Sequence, residues 1–191
     1  VMNITESMDL FLKPNSVAVI GASRRAGRGS FNVVENLLEL GFKGQIYPVN
    51  PNVDSILNIK AYREVSALPL GIDLAIVMLT RSIVPRMVSE CADRGIRALI
   101  VITEGFAEAD EEGKALQSEM VAIAREKGVR ILGPNSQGVV NGFHGFSSCL
   151  IIPQLIRNPI TFVCQSGGFL EGFSGFVPGK SIDLGNMCDV D

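Results

Sequence analysis

Three arginines follow a short apolar run near the start of the chain and provide its clearest anion-binding chemistry. The run at 17–20 ends at Gly21, and Arg24, Arg25 and Arg28 come within the next eight residues. Arginine presents a fixed fork of donors that suits phosphate oxygens. In a doubly wound sheet, the first strand leads through a glycine turn to a helix whose first N–H groups attract a phosphate. We therefore expect a phosphate-binding turn after Gly21.

The end of the second predicted strand helps to choose between nucleotide ligands. A NAD-binding domain places Asp or Glu there to hold the ribose hydroxyls, whereas this chain reads "YPVNPN", with Asn50 and no acid. Gly21, Gly27 and Gly29 do not match the G-x-G-x-x-G spacing either. Three guanidiniums suggest more than one phosphate group, which favours coenzyme A (CoA) over NAD. NADP and a solvated loop without a ligand remain alternatives.

The composition limits the classes of partner. The chain has 191 residues, 47% of them hydrophobic, and a formal net charge of −3. This mild acidity argues against nucleic acid or an anionic membrane as the main partner. We expect no targeting segment and no membrane span, because no apolar run approaches the roughly 18–20 residues required. The four cysteines lack C-x-x-C spacing and a histidine cluster, so we predict no metal site and reduced thiols in a cytoplasmic protein.

Short β-branched runs alternate with helical patterns, which is typical of a parallel sheet with crossover helices. We predict strands at 17–20, 45–49, 74–79, 98–102 and 129–132, and helices at 31–40, 84–94 and 113–127. Each predicted helix is followed by a glycine: Gly41, Gly95 and Gly128. Glycine adopts the left-handed conformation that ends a helix at little cost. A looser stretch after Asn141 leads to another predicted strand at 160–164. The fold class predicted from these patterns is α/β.

Six segments in order resemble the NDP-forming acyl-CoA synthetases: "SVAVIGAS", "YPVNPN", "VITEGFAE", "GPNSQGVVN", "CQSGG" and "LGNMCDVD". This family includes ADP-forming acetate–CoA ligase, and the α subunit of succinyl-CoA synthetase is related to it. The resemblance implies a CoA-binding domain with a Rossmann-like parallel sheet at 1–142, a linker at 143–158, and the start of a flavodoxin-like, succinyl-CoA-synthetase-type domain at 159–191. We therefore expect the chain to be part of a longer protein.

The resemblance also implies the residues that contact CoA. Ser23, Arg24 and Arg25 match the loop that binds the CoA diphosphate. The predicted path of the pantetheine arm is bordered by Thr80, Arg81, Ile102, Thr103 and Glu104, and the full set also includes Gly21, Arg28 and Asn50. These residues follow strand ends, where ligands bind in open α/β sheets. For Glu104, the alternative is a helix N-cap or a first-turn acid.

Two further motifs match the reaction centre of the family. Asn135 and Ser136 belong to "GPNSQG", and Ser166, Gly167 and Gly168 belong to "CQSGG". The second motif would present helix N–H groups to a phosphoryl group, although a simple strand-to-helix turn is an alternative. Ser136 replaces the cysteine of many relatives, and its hydroxyl can still donate to phosphate. Compared with this family, the segment between Gly168 and Ser181 is short. We expect either a shortened helix there or residues missing from the sequence between these two positions.

Members of the resembling family convert an acid, CoA and ATP into acyl-CoA, ADP and phosphate through a phosphohistidine. The single histidine of this chain is His144, in the predicted linker, and we do not expect it to carry a phosphoryl group. We therefore predict no catalytic residue in this chain. ATP or ADP, Mg²⁺ and a small carboxylic acid would be bound by the whole enzyme, with an ATP-grasp domain or subunit as partner. The alternatives are a stand-alone CoA-binding sensor or regulator and an NADP-linked oxidoreductase.

Overall fold

A parallel sheet of five strands forms the centre of the molecule. The structure, a computed structural model, describes residues 3–27, 30–151, 154–169 and 177–191. Its helices and strands, in chain order, are α1 Ile4–Leu12, β1 Ser16–Ile20, α2 Val33–Glu39, β2 Gln45–Val49, β3 Ser55–Ile56, β4 Ile59–Lys60, β5 Leu74–Val77, α3 Val84–Asp93, β6 Ala98–Val101, α4 Glu111–Lys127, β7 Arg130–Leu132, β8 Val139–Asn141, β9 Phe146–Ser147, β10 Thr161–Cys164 and β11 Lys180–Asp183. The central sheet has the strand order β2-β1-β5-β6-β7. The predicted α/β class, the five predicted strands and the three predicted helices are thereby confirmed.

Both faces of this sheet are covered by apolar layers. Ala18 and Ile20 of β1 pack in the core formed with α3 and α4, whereas Val17 and Val19 pack in the core formed with α1 and α2. Every residue of β5 and of β6 is buried. A parallel strand that is buried on both faces needs apolar residues at successive positions rather than at alternate ones. This requirement explains why the central strands read as continuous apolar runs in the sequence.

The helix ends follow the sequence pattern, and one helix was not predicted. Gly41, Gly95 and Gly128 have φ values of +70°, +82° and +67°, as expected for left-handed helix endings. The unpredicted helix is α1, where Asn3 and Glu6 form a capping box. The spacing of Asn and Glu three residues apart is a helix-start signal. That signal was available in the sequence.

A second sheet joins segments that are far apart in the sequence. Its strand order is β10-β11-β8-β9, in which β10 and β11 are parallel and the other two pairings are antiparallel. The strand predicted at 160–164 is present as β10. Strand β8 lies in the predicted first domain, β9 in the predicted linker, and β11 in the predicted second domain. The antiparallel pairing between β8 and β11 was not predicted.

Candidate functional site

The strand order creates a crevice between β1 and β5. The chain turns from β1 towards β2 on one side and from β5 towards β6 on the other, and ligands bind where the strand order reverses in this way. Gly21 follows β1 at this point with a φ of +84°, and a Cβ atom there would lie 2.2 Å from the carbonyl oxygen of Met78, after β5. Glycine is therefore required for the two loops to meet. The crevice is the candidate ligand site.

The loop that carries the arginines is held by a buried asparagine that the sequence analysis missed. Asn32 is 1% exposed, and its amide nitrogen donates to the carbonyl oxygens of Ser23 at 3.2 Å and Arg25 at 2.8 Å. Its side-chain oxygen accepts from the backbone N–H groups of Val34 and Glu35, which makes it the N-cap of α2. One side chain therefore joins the arginine loop to the helix start. The spacing of Asn32 and Glu35 was a signal for the cap, but not for the contacts with the loop.

The start of α2 was predicted to offer free N–H groups to a phosphate, but in the structure side chains of the protein occupy them. Because Asn32 occupies N–H groups of the first turn of α2, those groups are not free donors in this structure. Glu35 also places its carboxylate here and accepts from the backbone N–H of Gly27 at 2.8 and 2.9 Å. Arg24 and Arg25, in contrast, are exposed, and neither forms an ion pair with another described residue. The guanidiniums are thus the available anion-binding groups, and Arg28 lies outside the described residues.

Asn50 supports the same loop from the end of β2. Its side-chain nitrogen donates to the carbonyl oxygen of Ala22 at 2.8 Å, and its side-chain oxygen accepts from the backbone N–H of Asn52 at 2.8 Å. Gly21 and Ala22 also donate through their backbone N–H groups to the carbonyl oxygen of Val49. Asn50 therefore lies beside the crevice, as predicted, with both ends of its amide bonded to the backbone.

A cavity of about 630 Å³ continues from the crevice along the carboxyl ends of β5 and β6. Five residues predicted from the two strand ends line it, together with Asn135 of the next predicted motif: Thr80, Arg81, Ile102, Thr103, Glu104 and Asn135. Thr103 joins the two strand ends, since its hydroxyl donates to the carbonyl oxygen of Leu79 at 2.7 Å and accepts from the Leu79 backbone N–H at 3.3 Å. The structure thus brings this part of the predicted set together.

The charged group of Arg81 is engaged within the protein. Its guanidinium donates to the Gly105 carbonyl oxygen at 2.6 Å, to the Asp110 carboxylate at 2.9 Å and to Glu112 at 2.8 Å. The hydrogen bond that Arg81 donates to Asp110 is the main reason why the pKa of Arg81 is raised, and the pKa of Asp110 is lowered by the Gly113 N–H and then by Arg81. Arg81 therefore fixes the cavity wall to the start of α4, rather than offering a free charge.

Glu104 is neither a helix N-cap nor a first-turn acid, so the alternative role predicted for it is wrong. The N-cap of α4 is Asp110, and the first-turn acids are Glu111 and Glu112, so Glu104 belongs to neither group. It lies exposed on the cavity wall. The carboxylate that organises this loop is Glu108, which accepts from the backbone N–H groups of Gly105 and Phe106.

The pKa of Glu108 is lowered in the folded protein. Partial burial alone would raise it, but this effect is outweighed by the hydrogen bond from Asn186 and by those from the backbone of Gly105 and Phe106. Asn186 follows β11, so its contact with Glu108 joins the second sheet to the loop beside the cavity. The charged form of Glu108 is therefore the stabilised one.

A second cavity, of about 400 Å³, lies next to the first and shares Asn135 and Gln137 with it. It is also lined by Gly167 and Gly168 of the predicted phosphate-binding turn and by Asp183. A Cβ atom at Gly167 would lie 2.2 Å from the Cγ atom of Gln137, so this turn packs closely against the Gln137 side chain. Ser166 is exposed beside this turn, and the residues 170–176 that follow lie outside the described part. The two cavities form one groove, which we call the carboxyl-edge groove.

Ser136 was predicted to donate to a phosphoryl group, but its side chain is buried beneath the turn and does not line this groove. It is 1% exposed, its hydroxyl donates to the Asp183 carbonyl oxygen at 2.5 Å, and it accepts from the Gly138 N–H at 2.8 Å. A hydroxyl has one proton to donate, so Ser136 has none left for a phosphate oxygen. Its role is to hold the turn to β11. The neighbouring Asn135 is exposed, with a φ of +57°.

Asp183 is a buried carboxylate that sequence reasoning did not select. One oxygen accepts from the backbone N–H of Gln137 at 2.7 Å and the other from that of Gly185 at 3.2 Å. Burial raises the pKa of Asp183, and these hydrogen bonds oppose that effect. Asp183 connects the loop at 133–138 to the end of β11, but an aspartate at a strand end gives no sequence signal for such a contact.

His144 lies at the edge of the parallel sheet opposite the carboxyl-edge groove. Its Nε2 atom is 3.1 Å from the carbonyl oxygen of Pro14, just before β1, and its ring contacts Phe42 edge-on. This is the amino edge of the parallel sheet, whereas the groove is at the carboxyl edge. His144 and the turn at Gly167 are therefore separated by the length of the strands.

The chain has four cysteines, and one of them, Cys149, lines the smaller cavity. All four cysteines are free thiols, and burial raises the pKa of Cys91 and of Cys188 to about 12. Within the described residues, no group of three or more His, Cys, Asp or Glu side chains could hold a metal ion. None of the helices described has both the length and the apolar character needed to cross a membrane.

An open parallel sheet with a ligand groove at its carboxyl edge defines a Rossmann-like ligand-binding domain. A sequence model described as a CoA binding domain matches residues 15–142. The chain belongs to this CoA-binding-domain family, and it is homologous to the CoA-binding part of ADP-forming acyl-CoA synthetases.

Two relatives extend the similarity beyond the domain match. The chain is 40% identical over 197 residues to ADP-forming acetate–CoA ligase II of Archaeoglobus fulgidus, an alignment that covers 98% of this chain and 29% of that protein. It is 35% identical over 192 residues to the α subunit of ADP-forming acetate–CoA ligase II of Pyrococcus furiosus, covering 96% of this chain and 41% of that subunit. The chain thus spans less than half the length of these relatives.

Solved structures agree with this assignment. A protein of Pyrococcus horikoshii superposes with a TM-score of 0.85 at 34% identity, covering 96% of this chain and 43% of that one. Acetyl-coenzyme A synthetase 1 of Ca. Korarchaeum cryptofilum, in complex with phosphate and ADP, superposes with a TM-score of 0.84 at 29% identity, covering 97% and 41%. The fold of both sheets is therefore shared with the P. horikoshii protein and with this synthetase.

Proposed function

We propose that this chain binds CoA as the CoA-binding part of an ADP-forming acyl-CoA synthetase. The observation that carries this proposal is the carboxyl-edge groove. Its two cavities share Asn135 and Gln137, and it begins at Met78, beside the Gly21 turn of the arginine loop. A long ligand with phosphates at one end and a reactive group at the other fits a groove that begins beside the loop with two exposed arginines.

The diphosphate end of CoA is proposed to bind at the arginine loop. Arg24 and Arg25 provide exposed guanidiniums, and Ser23, Asn50 and Gly21 belong to the backbone framework that supports them. Since Asn32 fixes the carbonyl groups of Ser23 and Arg25, the loop is organised before the ligand arrives. Preorganisation of this kind reduces the ordering cost of binding.

The pantetheine arm is proposed to lie in the larger cavity, with its thiol towards Asn135 and Gly167. The apolar surface in that cavity comes from side chains such as Leu79, Ile102 and Leu150. The backbone at Gly167 and Gly168 borders the smaller cavity, where a phosphoryl group would meet the thiol end. In this proposal the chain holds CoA and directs its thiol, while a phosphohistidine, the nucleotide with Mg²⁺, and the ATP-grasp part belong to the rest of the enzyme.

One observation favours the enzyme over a stand-alone CoA-binding sensor. The match to ligases extends over 98% of the chain, well past residue 142, where the domain match ends. It therefore includes the turn at Gly167 and strand β11, which a CoA-binding domain alone does not need.

The proposal is tested by calorimetric titration of the chain with CoA, NADP and NAD. We expect CoA to bind more tightly than either dinucleotide. Each charge-assisted hydrogen bond to phosphate contributes about 1.5–3 kcal/mol, so Arg24→Ala and Arg25→Ala should each weaken CoA binding by about tenfold or more.

Arg86→Ala is the matched control, because Arg86 is an exposed arginine on α3 that, among the described residues, pairs only with Glu90. We expect this control to leave CoA affinity unchanged. Tighter binding of NADP than of CoA would overturn the assignment of the ligand. Unchanged CoA affinity in both arginine variants would instead assign Arg24 and Arg25 to a solvated loop.

A further inference from the structure

Two loops with the same residue pattern face one cavity at the amino edge of the parallel sheet. The first is "GFKG" at 41–44, after α2, and the second is "GFHG" at 142–145, after β8. All of their residues except Phe42 line a cavity of about 510 Å³, together with Asn15, Leu40, Gln45 and Arg157. Because Asn15 precedes β1 and Gln45 begins β2, this cavity lies opposite the carboxyl-edge groove.

A smaller cavity of about 260 Å³ adjoins it and shares Phe143 and His144 with it. Basic side chains border the pair, which we call the amino-edge cavity: Lys13, Lys43, His144, Arg157 and Lys180. No described Asp or Glu lines either part. Two acids lie near this lining: Asp9 pairs with Lys13 at 2.8 Å, and Asp73 accepts from the backbone N–H of Asn15 at 2.7 Å. Neither pairs with another described basic residue of the lining. The cavity therefore has a net positive lining in a protein of net charge −3.

Two of these cations have no partner among the described residues. Lys43 and Arg157 are both exposed, and neither forms a hydrogen bond or an ion pair within the described part of the chain. A lysine that follows a helix often bonds the last carbonyl groups of that helix, but Lys43 bonds none of those of α2. Both charges are available to a ligand.

The glycines of the two loops keep the wall of the cavity thin. A Cβ atom at Gly44 would lie 2.4 Å from the carbonyl oxygen of Asn15, so only glycine fits there. Gly145 has a φ of +65°. The backbone N–H groups of Gly44 and Gly145 donate to no described residue, so they add two unpaired donors to the cavity lining.

Phe143 adds an exposed aromatic ring to the cavity. Its side chain is 49% exposed, and the ammonium of Lys180 lies 5.7 Å from its ring centroid. This exposed ring borders both parts of the cavity. The combination of unpaired cations, free N–H donors and a flat apolar ring is suited to an anion with a planar part.

We propose that the amino-edge cavity binds a small molecule that carries a diphosphate group. The cavity has the volume of a small-ligand site, which is usually about 300–1,000 Å³. Two unpaired cations with two N–H donors match two linked phosphates better than a single carboxylate, since each phosphate supplies several acceptor oxygens. The diphosphate is free or is attached to a nucleoside, in which case the base contacts Phe143. This site is separate from the proposed CoA site and does not depend on it.

The test is calorimetric titration with inorganic pyrophosphate and, separately, with ADP. It is made in the Arg24→Ala, Arg25→Ala background, so that pyrophosphate does not bind at the arginine loop. We expect saturable pyrophosphate binding that Lys43→Ala and Arg157→Ala each weaken by about tenfold. Arg86→Ala, which removes an equal charge elsewhere, should leave the affinity unchanged.

The ADP titration distinguishes the two sources of diphosphate. Tighter binding of ADP than of pyrophosphate, lost in Phe143→Ala, indicates a nucleotide, whereas equal affinities indicate a free diphosphate. The proposal is overturned if neither probe binds. It is also overturned if Lys43→Ala and Arg157→Ala leave the affinity unchanged, or if Arg86→Ala reduces it to the same extent.

Discussion

Removal of the Asn32 side chain should uncouple the arginine loop from the helix that supports it. The residue is buried, and its amide bonds two loop carbonyls on one side and two helix N–H groups on the other. In Asn32→Ala all four contacts are lost. In Asn32→Ser the cap is retained, because Ser and Asn are similar N-caps, but the shorter side chain no longer reaches the loop.

The magnitudes follow from these contacts. Loss of an N-cap costs about 1 kcal/mol, and each lost loop hydrogen bond costs about 1 kcal/mol. Asn32→Ala should therefore reduce the free energy of unfolding by about 2–3 kcal/mol, which corresponds to a decrease in Tm of roughly 5–10 °C for a chain of this size. Asn32→Ser should lose about 1–2 kcal/mol, since only the loop contacts are missing.

CoA affinity provides the functional measurement. Both variants should bind CoA about fivefold more weakly, because a loop that is no longer preorganised costs about 1 kcal/mol to order on binding. Thermal denaturation and calorimetric titration are compared with Asn52→Ala, whose side chain forms no hydrogen bond with any described residue. That control should keep the stability of the unmodified chain.

The decisive variant is Asn32→Ser, which keeps the cap and loses only the contacts with the loop. If Asn32→Ser has the stability of the unmodified chain and binds CoA with the same affinity, the contacts from Asn32 to Ser23 and Arg25 do not organise the loop. If only Asn32→Ala is affected, the cap alone matters, and the link from the buried asparagine to the ligand site is wrong.

Two further predictions concern the loops around the carboxyl-edge groove. Because its folded pKa is lowered, charged Glu108 stabilises the fold above its unfolded pKa of about 4.3, and this contribution is lost as the pH falls through the folded value. Glu108→Gln should therefore be less stable than the unmodified chain at pH 7, by less than about 1 kcal/mol given its exposure, and urea denaturation at pH 3 should show a smaller difference. A difference that does not change with pH would contradict this. Gly138 has a φ of +89°, and a Cβ atom there would lie 2.0 Å from Ser148 Oγ, so Gly138→Ala should cost at least about 2 kcal/mol in urea denaturation. Gly95→Ala, at a φ of +82° with no atom within 4 Å of the added Cβ, should cost only the backbone strain of about 1 kcal/mol, and equal losses in the two variants would show that the contact with Ser148 is unimportant.

The sequence by itself determined the order of the elements in the central sheet. A parallel strand buried on both faces must be apolar at successive positions, and a helix that turns sharply into such a strand favours glycine at its end. Both requirements are local, so runs such as that of β5 and endings such as Gly95 could be read without the fold. The arginines after β1 and the missing acid after β2 could be read for the same reason.

Only the tertiary structure decided which of the predicted polar residues remain free. Arg81 and Ser136 were both predicted at the site, yet Arg81 pairs with Asp110, 29 positions away, and Ser136 bonds Asp183, 47 positions away. The second sheet likewise depends on the pairing of β8 with β11. A side chain of given type has the same donors wherever it stands. Its partner is set by segments that meet only after folding, so whether those donors are left for a ligand cannot be read from the neighbouring sequence.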